Sequence, residues 1–448
     1  MRFLSGQQDV KVAVIGLGYV GSCVAAALAD RNLEVIGIDN NSQLIDELNS
    51  GFCRFQEHGL PELISSGTAS GKLRVTTDAS AISQADVVLV TVGTPVRDDG
   101  SLADEQLQGA CLELSKHIRR GQLIVMKSTV PPGTTRGVVL PLLQRSGLVG
   151  GEDFGLAFTP ERLAEGTALA ELRSFPIVAG GLDDDSAQDA AEFWRNALDV
   201  EVIPLDTLEA AEIVKLADNW WIDVNIALGN EVAKFSALYG VDALDVIKAA
   251  NSIPKGNGNV NILLPSVGVG GSCLTKDPWM VWYSARERGL EILTAPAARA
   301  VNAGMPEYTA QLAIDQLTKL GKDPAVSKVA VLGLAFKNNT GDLRATPTLD
   351  AVSALEKACG EVTIYDPLVD VEEAATLFGK AQAASLSEAV DGADCIAILA
   401  LHREFAEIDF GALPVAEGCL ILDGRAYYSR EKIAELRALG YHYRGVGR

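Results

Sequence analysis

Three features of the sequence predict an α/β fold with two Rossmann-like, doubly wound domains joined by a long central helix and a helical middle domain. Near the start, an apolar run ends in a glycine turn and leads into a helix, a second apolar run and an acid. The same pattern recurs in the last third of the chain. Between them lies a proline-free stretch, Leu208 to about Gly240, long enough for one helix of about nine turns.

The first unit is the run Val10–Ile15, the turn Gly16-Leu17-Gly18-Tyr19-Val20-Gly21, a helical stretch Ser22–Asp30, and the run Glu34–Ile38 ending at Asp39. A glycine turn at a helix N-terminus lets a pyrophosphate approach backbone N–H groups, and an acid at the end of the second strand accepts hydrogen bonds from the adenosine ribose. Gly16, Gly18, Tyr19, Val20, Gly21 and Asp39 are therefore expected to hold a dinucleotide. Asn40, Asn41 and Ser42 follow, with no arginine to receive a 2′-phosphate, so the cofactor is expected to be NAD rather than NADP.

Further strands are expected at Asp86–Val92, Leu123–Met126 and Phe154–Phe158. Their following loops are Gly93-Thr94-Pro95, the stretch from Lys127 through Thr129 to Gly133, and the stretch from Thr159 through Glu161, Arg162, Leu163 and Glu165 to Gly166. In a parallel sheet the carboxyl ends of strands carry the site, so these loops are candidates for it; each also reads as a plain turn. Within the long helix, Glu212, Lys215 and Asn219 share one face. A solvated polar stripe is the alternative reading. Interleaving with Ile213, Leu216 and Trp220 favours a buried setting, where polar groups need partners or a function.

One cysteine lies on a glycine-rich loop, Gly268-Val269-Gly270-Gly271-Ser272-Cys273, with Lys276 and Asp277 close behind. A thiol works covalently as the thiolate, which nearby cations favour, and glycines allow close approach of substrate to backbone. By itself the stretch reads as a turn holding an ordinary buried cysteine. From Lys328 the opening recurs: Lys328–Leu334 echoes Lys11–Leu17, Glu361–Asp366 echoes Glu34–Asp39, and Ala393–Ala397 echoes Ala85–Leu89. There the fingerprint has decayed to Gly333-Leu334-Ala335-Phe336-Lys337, so this half is expected to bind something other than a dinucleotide, with Lys337, Arg344 and Arg425 as its cations or as ordinary surface charges.

Composition narrows the function. The chain has 448 residues, with 59 acidic against 38 basic side chains and a net charge of −21. That argues against non-specific binding of nucleic acid or an anionic membrane. No apolar run reaches the ~18 residues of a membrane span, and Met1–Asp9 is polar and short for a secretory signal. Seven scattered cysteines without CxxC spacing, and four dispersed histidines, point to neither disulfides nor a metal, and to a reducing cytoplasm.

These motifs, in this order and over nearly the whole chain (about Val10 to about Tyr427), resemble the UDP-glucose/GDP-mannose dehydrogenase family. The set comprises the glycine turn, Lys127–Thr134, Pro160-Glu161 with Glu165-Gly166-Thr167, Glu212-x-x-Lys215-x-x-x-Asn219, the cysteine loop, Leu332–Lys337, and Asp423-Gly424-Arg425. The resemblance implies two NAD-dependent oxidations of a UDP-sugar at C6, from alcohol to carboxylate. Cys273 is then the nucleophile that captures the aldehyde, and the resulting thioester is hydrolysed. Lys215 and Asn219 stabilise charge on the C6 oxygen, Glu161 activates water, Asp277 positions it and Thr129 helps hold it. Gly93, Thr94, Pro95, Thr129, Glu165, Lys276 and Arg344 join the cofactor site. Glu161, Arg162, Leu163, Lys215, Asn219, Gly270, Lys337 and Arg425 join the substrate site. The expected domains are 1–205 for NAD, 206–305 as the helical and dimerising middle, and 306–448 for UDP, in a homodimer.

Two departures bear on the sugar. Arg162 after Glu161 resembles the UDP-N-acetylhexosamine branch, whereas Ser272 before Cys273 is closer to UDP-glucose enzymes. Trp220 and Trp221 are bulky for their position and read best as core packing. An enzyme stopping at the aldehyde, and a non-catalytic NAD- or UDP-sugar-binding regulator, are the alternatives. Retention of Cys273 and Lys215 counts against both.

Overall fold

The computed structural model describes residues 3–4, 10–256 and 258–448, so of the stretch Met1–Asp9 only Phe3 and Leu4 are described. The chain forms two compact units, Met1–Asp218 with Tyr283–Leu290, and Asn219–Trp282 with Glu291–Arg448.

The first unit is built on an eight-stranded sheet: β1 (Lys11–Ile15), β2 (Glu34–Ile38), β3 (Leu73–Thr76), β4 (Val87–Val90), β5 (Leu123–Met126), β6 (Gly155–Phe158), β7 (Ile177–Gly181) and β8 (Val202–Leu205). Its order is β3-β2-β1-β4-β5-β6-β7-β8. All neighbours are parallel except β6 and β7. Period-two alternation explains how both faces are filled. Val12 and Val14 of β1 enter one core with the buried helix Tyr19–Asp30, while Ala13 and Ile15 enter the other. The strand order reverses between β1 and β4, so the loops after β1, β4, β5 and β6 leave one edge around that switch point.

The second unit opens with most of the Leu208–Leu238 helix and a short ribbon of β9 (Pro254–Lys255) and β10 (Gly258–Asn259). It then forms a five-stranded parallel sheet of β11 (Lys328–Leu332), β12 (Glu361–Tyr365), β13 (Cys395–Ile398), β14 (Leu420–Asp423) and β15 (His442–Gly445), in the order β12-β11-β13-β14-β15. Val329 and Val331 face one core, Ala330 and Leu332 the other. The recurrence seen in sequence is therefore structural. No helix is long and apolar enough to cross a membrane among the described residues.

The echo extends to the hub of each sheet. The Leu17 N–H donates to Asp39 Oδ2 at 2.7 Å, and the Leu334 N–H donates to Asp366 Oδ2 at the same 2.7 Å. The two carboxylates then part ways. Asp39 is half-buried, whereas Asp366 is 1% exposed and meets His402 Nε2 at 2.9 Å. His402 Nδ1 accepts the Asn339 N–H at 2.8 Å, so Nε2 carries the proton and donates to Asp366. No helix begins at Phe336, where the first unit starts one at Tyr19; the next helix after β11 is Thr348–Ala358. The second hub has neither a free acid nor a helix N-terminus for a dinucleotide.

The tryptophan reading needs correction. Trp220 is half-buried and donates from Nε1 to Thr294 Oγ1 at 3.1 Å, but Trp221 is 51% exposed and is not core. Ile213, expected to support a buried setting, is also 51% exposed.

Candidate active site and cofactor site

In the first unit each fingerprint glycine has its own physical reason. Gly16 turns the chain with φ of +90°, and its N–H donates to the Ile38 carbonyl at 2.8 Å. A Cβ at Gly21 would overlap the Gly16 carbonyl oxygen, so helix and turn can close only on glycine. At Gly18 a Cβ would meet nothing within 4 Å, which leaves open space over the helix N-terminus. That open cradle, with Asp39 Oδ1 bonded among the described residues only to the exposed Asn41 N–H, fits the pyrophosphate and ribose of NAD.

The loops after β4 and β6 are tied to this turn by residues that sequence patterns did not single out. Thr91 Oγ1 donates to the Gly16 carbonyl at 2.6 Å. Glu57, 5% exposed, accepts from the Tyr19 hydroxyl, from the Gly166 N–H at 2.7 Å and from the Leu169 N–H at 3.5 Å. Burial and this carboxylate push the Tyr19 hydroxyl well above its ordinary range, so Tyr19 stays a neutral donor. Thr94 is buried, Gly93 and Pro95 are exposed, and Glu165 is half-buried.

Glu161 follows β6. Its Oε1 accepts the Arg162 N–H at 2.8 Å and the Leu163 N–H at 3.0 Å. Its Oε2 is buried without a hydrogen-bond partner among the described residues, 3.4 Å from Lys127 Nζ. Lys127, itself 2% exposed, donates to the Thr159 carbonyl at 3.2 Å and sits 4.7 Å from the centre of the Trp194 ring. A buried carboxylate oxygen with capacity to spare is poised to accept a proton or hold a water. The side chain of Arg162 pairs with Asp218 at 2.7 Å, and Thr129 is half-buried.

On the long helix Glu212 is wholly buried and accepts from the N–H groups of Gly133 and Thr135, at 2.5 and 2.8 Å. Desolvation raises its pKa against those hydrogen bonds. Glu212 thus anchors the loop after β5. Lys215 is 7% exposed, and no carboxylate or hydrogen-bond acceptor pairs with it among the described residues. A nearly buried ammonium without a counter-charge is costly unless a ligand supplies one.

In the second unit Cys273 is exposed, whereas the other six cysteines are buried or half-buried, and burial raises every one of their thiols. Behind Cys273 the chain turns into the helix Asp277–Arg286, and the Asp277 N–H donates to the Cys273 carbonyl at 2.9 Å. Asp277 is fully buried. Its Oδ2 accepts from Asn219 Nδ2 at 2.5 Å and its Oδ1 pairs with Lys276 Nζ at 2.7 Å. Asn219, Lys276, Asp277 and Cys273 therefore come together. Lys276 spends its charge on Asp277.

The glycines before Cys273 turn out to accommodate protein. A Cβ at Gly270 would overlap Phe336 and approach Ala345 O and Pro347, one at Gly271 would strike the Phe336 ring, and one at Gly268 would strike Pro347. The Gly271 N–H donates to the Arg344 carbonyl at 3.0 Å. So these glycines let the loop after β11 dock against the cysteine loop. In that docked loop Lys337 is half-buried and the Arg344 guanidinium pairs with Asp342 at 2.6 Å, while Arg425, from the loop after β14, donates from Nη2 to the Phe336 carbonyl and keeps a buried Nε without a partner among the described residues.

A buried polar network supports the cysteine loop from the helix side. Asp223, fully buried, pairs with Arg299 at 2.7 Å and accepts from Asn302 Nδ2 at 2.8 Å. Asn302 Oδ1 accepts from Asn230 Nδ2 at 2.9 Å, and Asn230 Oδ1 accepts the Ser266 N–H at 2.8 Å. Arg299 also reaches the Leu274 carbonyl at 3.4 Å. Among the described residues no group of three His, Cys, Asp or Glu side chains is placed to hold a metal ion.

Domain models of the UDP-glucose/GDP-mannose dehydrogenase family match three stretches: the NAD binding domain over residues 10–198, the central domain over 209–304 and the UDP binding domain over 330–430. The UDP-N-acetyl-D-mannosamine dehydrogenase of Pyrococcus horikoshii is 33% identical over 441 residues, 98% of this chain and 99% of the relative. The solved structure of a UDP-D-ManNAc dehydrogenase from that organism superposes with a TM-score of 0.87 at 32% identity, covering 98% of this chain and 99% of its own. A UDP-glucose dehydrogenase structure from Pyrobaculum islandicum gives 0.86 at 29% identity, with 99% of each chain covered.

Proposed function

Because the chain belongs to the UDP-glucose/GDP-mannose dehydrogenase family of NAD-dependent nucleotide-sugar dehydrogenases, we propose that it oxidises the C6 alcohol of UDP-N-acetyl-D-mannosamine to the carboxylate through a covalent Cys273 adduct. The Gly16–Gly21 turn and Asp39 would hold NAD, which would supply the hydride acceptor, one NAD for each of the two oxidations at C6. Lys215 and Asn219 stabilise negative charge on the C6 oxygen as the alcohol gives up its proton. The Cys273 thiolate then adds to the aldehyde carbon as a thiohemiacetal. Loss of the second hydride leaves a thioester, and water activated by Glu161, positioned by Asp277 and held by Thr129, cleaves it to the carboxylate and the free thiol. The exposure of Cys273, against six buried or half-buried thiols, is the observation that carries the covalent route. Lys337 and Arg425 receive the diphosphate in this reading. Arg162 and Leu163 line the sugar site in this reading, Gly270 supports it only by letting the cysteine loop pack against Phe336, Ala345 and Pro347, and Gly93, Thr94, Pro95, Glu165, Lys276 and Arg344 line the cofactor site.

The choice of sugar rests on full-length relatives named for UDP-N-acetyl-D-mannosamine, and Arg162 agrees with it. The test is NADH released per sugar consumed, over UDP-N-acetylmannosamine, UDP-N-acetylglucosamine, UDP-glucose and GDP-mannose. Two NADH from the first is the expected result. One NADH means the reaction stops at the aldehyde, and none from any sugar despite NAD binding makes the chain a regulator. We keep the division into domains 1–205, 206–305 and 306–448, and a cytoplasmic setting, as parts of this reading.

We also propose a homodimer. Trp221, Leu228 and Phe235 of the long helix are 51%, 46% and 62% exposed at seven-residue spacing, which aligns them as one apolar seam. A second copy of the same helix is the partner that such a self-complementary seam fits. By light scattering the protein should have about twice the 47.3 kDa chain mass, and Phe235→Glu should shift it to the monomer. A monomeric wild type would refute the dimer.

A further inference from the structure

The second unit holds a cavity of about 480 Å³ that none of the residues assigned above to cofactor or sugar lines. Its wall carries four guanidinium groups, from Arg430, Arg437, Arg444 and Arg448, against one carboxylate, Asp242, with Gln316 as a further hydrogen-bonding group and Tyr443, whose hydroxyl donates to Asp423 at 2.9 Å, beside them. Arg430 and Arg437 lie seven apart on the helix Arg430–Ala438 and so share a face, while Tyr443 and Arg444 come from β15, the edge strand of the sheet. This concentration of cations stands out in a chain whose net charge is −21.

The four arginines are not equivalent. Arg448 is fixed by Asp242 at 2.9 Å and by the Tyr428 carbonyl at 2.6 Å, and Arg430 pairs with Asp245. Among the described residues no carboxylate pairs with Arg437 or Arg444. Two held guanidiniums thus form the frame, and two with unspent charge face the same space. Arginine's planar fork binds phosphoryl oxygens two at a time, so a cavity with two such forks matches two linked phosphoryl groups. The volume lies within the ~300–1,000 Å³ usual for small-molecule sites, and a concave pocket of this size suits a small polyanion better than a nucleic-acid strand.

We propose that this cavity is a second anion site, separate from the nucleotide-sugar site, that takes a small molecule carrying a diphosphate. The probe is inorganic pyrophosphate, titrated calorimetrically into the full chain, with sulfate as the control. With the cradle at the Gly16–Gly21 turn occupied by saturating NAD, two pyrophosphate equivalents should bind, one at each cationic site. Arg437→Ala/Arg444→Ala should abolish one of them or weaken it at least tenfold while the thermal midpoint stays unchanged, and Lys337→Ala/Arg425→Ala should spare that same equivalent. An unchanged titration in the Arg437/Arg444 variant overturns the proposal. So does a single equivalent that disappears with Lys337 and Arg425, or equal affinity for sulfate, which would mark an adventitious anion patch. The readout is binding alone, so it stands or falls independently of whether the dehydrogenase reaction is assigned correctly.

Discussion

Replacing Cys273 by serine should lower the steady-state rate of NADH formation on the order of 10³-fold or more, about 4 kcal/mol of barrier, while leaving NAD binding intact. The physical reason is the nucleophile. A serine hydroxyl stays protonated at neutral pH and an alkoxide is a poor leaving group, so neither capture of the aldehyde nor release of the acid is served. Cys273 is exposed, and its neighbour contacts are a 4.0 Å approach of Ser272 Oγ and backbone hydrogen bonds from Lys276 and Asp277 to its carbonyl, all of which serine preserves. A loss of activity therefore reports chemistry rather than unfolding. In a single-turnover experiment the variant should release at most one NADH per sugar where the wild type releases two. A variant that still yields two at an undiminished rate would remove the covalent route.

The second large effect is on stability. Arg299→Met should cost about 3–5 kcal/mol in urea denaturation, because it strands the fully buried Asp223 carboxylate without its counter-charge. Desolvation already raises the pKa of Asp223, with Arg299 and Asn302 opposing the rise, so removing the arginine raises it further. The sign follows. A carboxyl whose folded-state pKa lies above its unfolded value binds its proton more tightly when folded, so stability is greatest below the unfolded pKa and falls as pH rises through the folded one. Arg299→Met should accordingly be closest to wild type in acid and lose ground towards neutral pH. Equal losses at both ends would show that the methionine merely packs badly. Because Arg299 also reaches the Leu274 carbonyl, the variant should loosen the cysteine loop as well.

Much of the fold was legible because its strands are short apolar runs bounded by polar residues or glycine turns. The Glu34–Ile38 and Leu123–Met126 strands, and the helix from Leu208, fall where those patterns place them. The duplicated half was legible for the same reason. What the sequence conceals is long-range polar pairing. Asp223 meets Arg299 and Asn302 across 76 and 79 residues, and Glu57 meets Gly166 across 109, with no periodicity to announce either contact. An arginine set among alanines in the helix Thr294–Ala303 was the one available hint of the first. The cysteine loop misled in a different way. Its glycines resemble a cradle for a ligand, and only coordinates reveal that Phe336, Ala345 and Pro347 occupy the space. Trp221 misled because a large apolar residue on a long helix usually points inward, and here it faces outward on the seam with Leu228 and Phe235.

The pair Asp366–His402 carries a lesson for engineering. Rewriting Ala335, Phe336 and Asn338 to rebuild a glycine fingerprint in the second half would not restore dinucleotide affinity there. The acid that would grip the ribose is sealed under an imidazole, and that imidazole also receives the Asn339 N–H of the neighbouring loop. Freeing the carboxylate would orphan a buried ring and slacken the loop that bears Lys337. The two sheets of like pattern are thus not interchangeable at their corresponding hubs. A graft from the first half to the second would have to carry its whole hydrogen-bond circuit with it.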